Sequence, residues 1–230
     1  MHWQKLTLAD AIEKNLPSGV SCRSLTNRRG KLIHFTVNQN ALLRELEYGC
    51  WLVVPISGIG STREGRIKMG DLWLGNGLDL EIRSEGNESA EIYALKLMDI
   101  EVPEKAQVIL GEGRPFEDYP DPNDRPTQPV QVLSEGPVSV LRTRFVPEFC
   151  AAEHWHDFDT WYFILSGSMR FGEEGVYVAK DVRQVEGGYS YGPEDPGPEG
   201  VDFILVSVGG PIALHWTDLE PSPKGSLTVV

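Results

Sequence analysis

The chain has 230 residues, 40% of them hydrophobic, enough to bury a core in one large domain or two small ones. With 21 basic and 34 acidic side chains its formal net charge is -13, which repels a phosphate backbone and excludes nucleic acid as an expected partner. The excess is uneven: residues 1–115 carry 14 basic and 15 acidic side chains and residues 116–230 carry 7 and 19, so the second half attracts cations and discourages anions.

From the amino terminus, "TLADAIEKNLP" (residues 7–17) predicts one short helix. Thr7 caps it with Asp10 three residues on, Leu8, Ile12 and Leu16 share a face, and Pro17 stops it. This end lacks the basic and apolar regions of a signal peptide, and apolar runs such as "FILVSV" are too short to span a bilayer. A cytoplasmic protein with no membrane partner is expected. Beyond the helix, runs rich in β-branched and aromatic residues alternate with glycine turns: "CWLVVPISG", "DLWLGNG", "EIYALKL", "VSVLRTRFV", "TWYFILSG" and "DFILVSVGG". That spacing predicts an all-β sandwich or barrel. Residues 111–129, "GEGRPFEDYPDPNDRPTQP", hold five prolines and five acidic residues and cannot sit inside a sheet. They are read as a linker between domains of residues 1–110 and 130–230. Cys22, Cys50 and Cys150 have no close spacing and read as free thiols.

An internal repeat supports this division. "WLVVPISGIGSTREGRIKMGDLWLGNG" from Trp51 matches "WYFILSGSMRFGEEGVYVAKDVRQVEGG" from Trp161, aligning Gly58 with Gly167, Gly65 with Gly175 and Asp71 with Asp181. A repeat this long fits a duplicated whole domain rather than a solenoid.

Within the second copy, "AEHWHDFDTWYFILSGSMRFG" (residues 152–172) sets two of the five histidines two residues apart. On an extended strand such residues point to one side, so His154 and His156 can face the interior together and grip one ion, with Thr160 and Tyr162 on the same face. This stretch resembles the first motif of the cupin superfamily, G-x5-H-x-H-x3-E-x6-G. His154, His156 and Gly167 are in register, whereas Thr160 stands at the glutamate and Glu148 at the leading glycine. The second cupin motif falls on Lys180, Glu186, Gly188, Tyr191 and Asp195, of which only Gly188 matches, and Tyr191 occupies the third histidine position. In the first copy Glu45 and Glu47 occupy the histidine positions, Trp51 the glutamate, and Leu80 or Glu81 the remaining ligand position. That half, through "EGRIKMGDLWLGNG", is also similar to the sensory barrel of AraC-type regulators, without a helix-turn-helix segment.

The resemblance implies a bicupin: two tandem β-barrels with a short N-terminal helix, the first degenerate. It implies a divalent transition metal (Zn, Fe, Mn or Ni) held by His154, His156 and Tyr191 as a phenolate, in a barrel whose pocket includes Thr160, Tyr162, Tyr189 and Tyr191. Two functions follow, a metal-dependent enzyme acting on a small organic substrate and a non-catalytic barrel that binds a small molecule. The catalytic residues are unknown, since no base stands out. His2, His34 and His215 read as structural, and Trp161 as core. Cupin barrels commonly pair through outer strands, and the alternate positions Trp161, Phe163 and Leu165 suggest a homodimer.

Overall fold

The computed structural model describes residues 2–6, 11–118, 128–217 and 227–229. Strands and one 3-10 turn at Gly77–Asp79 make up the regular structure among them. The chain forms two compact units, one of residues Thr7–Gly113 and the other of Met1–Leu6 with Arg114–Val230. No described helix is long and apolar enough to cross a membrane.

The Thr7–Gly113 unit pairs a seven-stranded with a four-stranded sheet. The larger runs Gln107–Ile109, Leu72–Asn76, Cys50–Ser57, Ala90–Leu97, Gly30–Val37, Val20–Asn27, Lys14–Asn15. The smaller runs Leu42–Leu43, Ile82–Ser84, Ile59–Ser61, Arg66–Lys68. Phe35, Trp51 and Trp73 from the first join Leu43, Ile67 and Ile82 from the second in one core. Of the stretch expected as a helix, the described residues 11–17 are not helical. Thr7, Leu8 and Asp10 lie outside the described residues, and Lys14–Asn15 instead forms a strand edge on Ser21 and Cys22. Ile12, which the helical pattern placed on the buried face, is 82% exposed, and only Leu16 packs against the core, so the apolar spacing has no surface to bury as a helix.

The other unit carries a seven-stranded sheet in the order Trp3–Leu6, Val182–Val185, Asp159–Phe171, Glu194–Val208, Val138–Phe145, Val130–Ser134, with Gly175–Val178 added to Asp159–Phe171. A three-stranded sheet of His154–Trp155, Ile212–Trp216 and Leu227–Val229 accompanies it. Tyr162, Ile164, Phe171, Tyr177 and Phe203 form its core. Trp161, Phe163 and Leu165, on the alternate face, are also buried within this chain, which removes the stated reason for a second copy.

The repeat survives at the level of turn chemistry. Asp71 accepts a hydrogen bond from the Lys68 amide at 3.0 Å, and Asp181 accepts one from the Val178 amide at 2.9 Å. Gly58 and Gly167 both have positive φ, +71° and +72°. A Cβ on Gly58 would stand 2.6 Å from the Ser89 carbonyl, and one on Gly167 would collide with the Gly200 carbonyl. Both turns therefore require glycine for the same two reasons, conformation and close backbone approach.

Candidate functional site

The histidine pair is placed by the small sheet. His154 pairs with Trp216 and exchanges backbone hydrogen bonds with Tyr191, each at 2.9 Å. Trp155 points the other way and stacks on His215 with ring centroids 3.9 Å apart, while His215 Nε2 meets Asp157 Oδ1 at 3.0 Å. The strand ends at Trp155, and residues 156–158 bend before Asp159 begins the next one. That break interrupts the period-two phase. His156 still reaches the interior, but Thr160 is buried between Val185 and Ser207 and does not line the cavity.

His154 and His156 are 2% and 5% exposed. Each has its Nδ1 against a backbone carbonyl, Ala152 at 2.8 Å for His154 and Ala213 at 2.5 Å for His156. A carbonyl only accepts, so both rings carry the proton on Nδ1 and leave Nε2 as an uncommitted acceptor. Burial pushes the His154 imidazole down to about 4 and that of His156 to about 3, the neighbouring His154 adding to the second shift. Both rings are neutral at pH 7. His154 Nε2 lies 3.9 Å from Glu194 Oε1, a proximity rather than an ion pair because the ring is uncharged.

Both rings line a cavity of about 110 Å³ whose wall is mainly apolar, with Phe145, Phe149, Phe203, Ile212 and Trp216 among its residues. Gln128, Thr143, Tyr162 and Glu194 add polar side chains to it. The Tyr162 hydroxyl is bonded to the Tyr191 hydroxyl and donates to Glu194 Oε1 at 2.9 Å. Burial lifts the Glu194 carboxyl to about 7, against the opposing pull of Arg183 and of the Tyr162 hydrogen bond. A carboxyl that titrates near neutrality beside two neutral imidazoles can exchange protons with a bound molecule.

Behind these groups Arg183 is fully buried. Its Nε and Nη2 reach Glu174 at 2.7 and 2.6 Å, and its guanidinium lies 4.1 Å from the ring centres of both Phe171 and Tyr191. The ion pair and the aromatic faces together hold the Tyr191 ring in position.

The structure thus brings together His154, His156, Tyr162 and, through its hydroxyl, Tyr191. Tyr189 is elsewhere: it stacks on His2, whose Nδ1 meets Glu186. The Tyr191 hydroxyl, expected as a phenolate ligand, is bonded to that of Tyr162, and burial, then Glu194, pushes its pKa up. Among the described residues no group of three or more His, Cys, Asp or Glu side chains is arranged to hold a metal ion. The donor set therefore falls short of the three-ligand site that the resemblance implies: two imidazole nitrogens are free, and the carboxylate and phenols are bonded to one another.

Glu194 and the Glu174–Arg183 pair were missed from sequence. Glu194 opens the strand Glu194–Val208, yet it lies among Pro193, Pro196 and Pro198, a composition that reads as loop. The signal available was its position three residues after Tyr191.

No protein-family model matches the chain, and no curated protein sequence matches it. Solved structures do. A candidate dioxygenase from Nostoc punctiforme is 12% identical with a TM-score of 0.73, over 100% of this chain and 87% of that one. Protein Ylba from E. coli is 13% identical with a TM-score of 0.68, covering 90% of each chain. The oxalate decarboxylase of Lactobacillus farciminis, crystallised with formate, is 13% identical with a TM-score of 0.67, over 93% of this chain and 88% of that one. The chain has the bicupin fold. At these identities the likeness establishes architecture and leaves the chemistry of this chain to its own residues.

Proposed function

We propose that the barrel carrying His154 binds a small organic molecule in its aromatic-walled cavity, with Nε2 of His154 and His156 as polar contacts. The observation that carries this reading is the pairing of each Nδ1 with a backbone carbonyl, which makes two neutral imidazoles into fixed acceptors on an otherwise apolar wall. Glu194 adds a carboxyl able to take or give a proton near neutral pH, so turnover by proton transfer belongs to the same reading. The structural relatives named for oxalate decarboxylation and dioxygenation are compatible with a small organic substrate.

A divalent metal (Zn, Fe, Mn or Ni) on the same two nitrogens is the second reading. The same hydrogen bonds favour it, because metal-bound histidines donate their other ring nitrogen to a carbonyl or carboxylate in this way. Elemental analysis of untagged protein separates the two. About one equivalent of metal, lost in His154→Ala and His156→Ala, supports the metal reading. Metal-free wild type whose histidine Nε2 resonances move on adding a small ligand supports the first. A cytoplasmic location, the linker at 111–129 and kinship of the first barrel to AraC-type sensory barrels complete the proposal. It includes no nucleic-acid partner.

A further inference from the structure

Resting on the reading that the cavity takes a small organic molecule, we infer that its ligand is a single-ring, uncharged hydrogen-bond donor, a phenol in chemical class, and not a carboxylate. Three observations lead there. The first is size: an engineered apolar cavity of roughly 150 Å³ holds benzene, so a cavity of about 110 Å³ is on the scale of one six-membered ring. The second is the wall. Phe145, Phe203, Leu205 and Ile212 offer apolar contact suited to a ring face.

The third is the polarity of the remaining atoms. His154 and His156 present Nε2 lone pairs because their protons are committed to the Ala152 and Ala213 carbonyls. The Thr143 hydroxyl, also on the wall, donates to the Pro129 carbonyl. None of the described residues that line the cavity is Lys or Arg. The Gln128 amide and Trp216 indole are its neutral donors, and neither can neutralise a charge. Arg183, a buried cation behind Tyr191, is not on the cavity wall; its Nε and Nη2 pair with Glu174, while its Nη1 has no hydrogen-bond partner among the described residues. A carboxylate would therefore enter the cavity beside Glu194 with no cation among the described wall residues, whereas a phenolic hydroxyl finds an imidazole nitrogen to accept its hydrogen bond. This departs from the oxalate named for one structural relative, which is a dianion.

The test is calorimetric titration of the purified full chain at pH 7 with phenol, toluene, benzoate and oxalate. Phenol is expected to bind about tenfold tighter than toluene, the worth of one hydrogen bond in a dry site, and at least about tenfold tighter than benzoate or oxalate. In His154→Ala combined with His156→Ala the preference for phenol over toluene should collapse while toluene binding persists. Benzoate or oxalate binding as tightly as phenol overturns the inference, and disappearance of that binding after dialysis against EDTA would trace it to a metal. Toluene equal to phenol overturns the donor requirement but leaves the cavity reading standing. No binding of any probe by the wild type overturns both.

Discussion

The two barrels share a turn scaffold and differ in what occupies the ligand positions. In the first, Glu47 stands at one of those positions and is 54% exposed in its side chain, tied to Lys96 at 3.0 Å and Lys31 at 3.3 Å. Glu45 accepts from Ser18, and Glu81 meets Arg44 and Arg63. Trp51, at the glutamate position, is fully buried and donates its indole N–H to the Glu47 carbonyl at 3.0 Å. In the second, His154 and His156 are buried, and a cavity opens beside them. A polar hollow in the first unit lies elsewhere, among Glu13, Arg23, His34 and Glu91. One copy uses these positions for surface ion pairs and core packing; the other keeps its two histidines facing an interior space.

The largest expected effect sharpens that contrast. Arg183→Met leaves Glu174 buried without its cation and should cost about 3–5 kcal/mol in urea unfolding, whereas Arg183→Met combined with Glu174→Leu should recover most of it. Trp51→Ala in the first barrel should cost a similar amount, about 3–5 kcal/mol, through lost packing and the lost indole hydrogen bond to the Glu47 carbonyl. A rescue at Arg183 that fails would mean the pair fixes conformation beyond its charge balance.

Strand content, the turn at Asp181 and the histidine pair were legible because each leaves a local mark: β-branched runs, an i to i-3 aspartate bond, an i, i+2 spacing. The groups behind the cavity were not. Glu174 and Arg183 are nine residues apart but lie on different elements, so only the folded turn between them shows that they meet, and Glu194 reaches Tyr162 from a neighbouring strand 32 residues on. The helix over residues 7–17 failed for a related reason: its apolar spacing was real, but tertiary pairing with Ser21 and Cys22 decided the backbone.

pH separates the barrels next. Below 6.5 the unfolded imidazoles bind protons that the buried rings refuse until about 4 for His154 and about 3 for His156, so stability falls with pH across that window. Glu194 acts oppositely: its folded carboxyl keeps a proton up to about 7 where the unfolded one releases it at 4.5, so its contribution is present below 4.5 and lost as pH rises to 7. Two imidazoles against one carboxyl leave a net of one proton, and unfolding free energy should rise by about 1 kcal/mol per pH unit between pH 4.5 and 6.5. In His154→Phe combined with His156→Phe the slope over that interval should reverse, leaving the Glu194 contribution alone. A flat wild-type profile would show that the rings are not held neutral.

The smallest effect is the counterpart in the first barrel. Glu47 has its carboxyl lowered by hydrogen bonds from Lys96 and then Lys31, but solvent around its exposed side chain screens both pairs. Glu47→Ala should therefore change unfolding free energy by less than about 1 kcal/mol, and that small change should shrink further in 1 M salt. Glu45→Ala and Glu47→Ala should both leave metal content and phenol binding at wild-type values. His154→Ala combined with His156→Ala, at the matching positions of the other copy, should lower phenol affinity about tenfold. If Glu45→Ala combined with Glu47→Ala moved either binding property as much, the first barrel would have to be counted as part of the site, and the division of labour between the two copies would be lost.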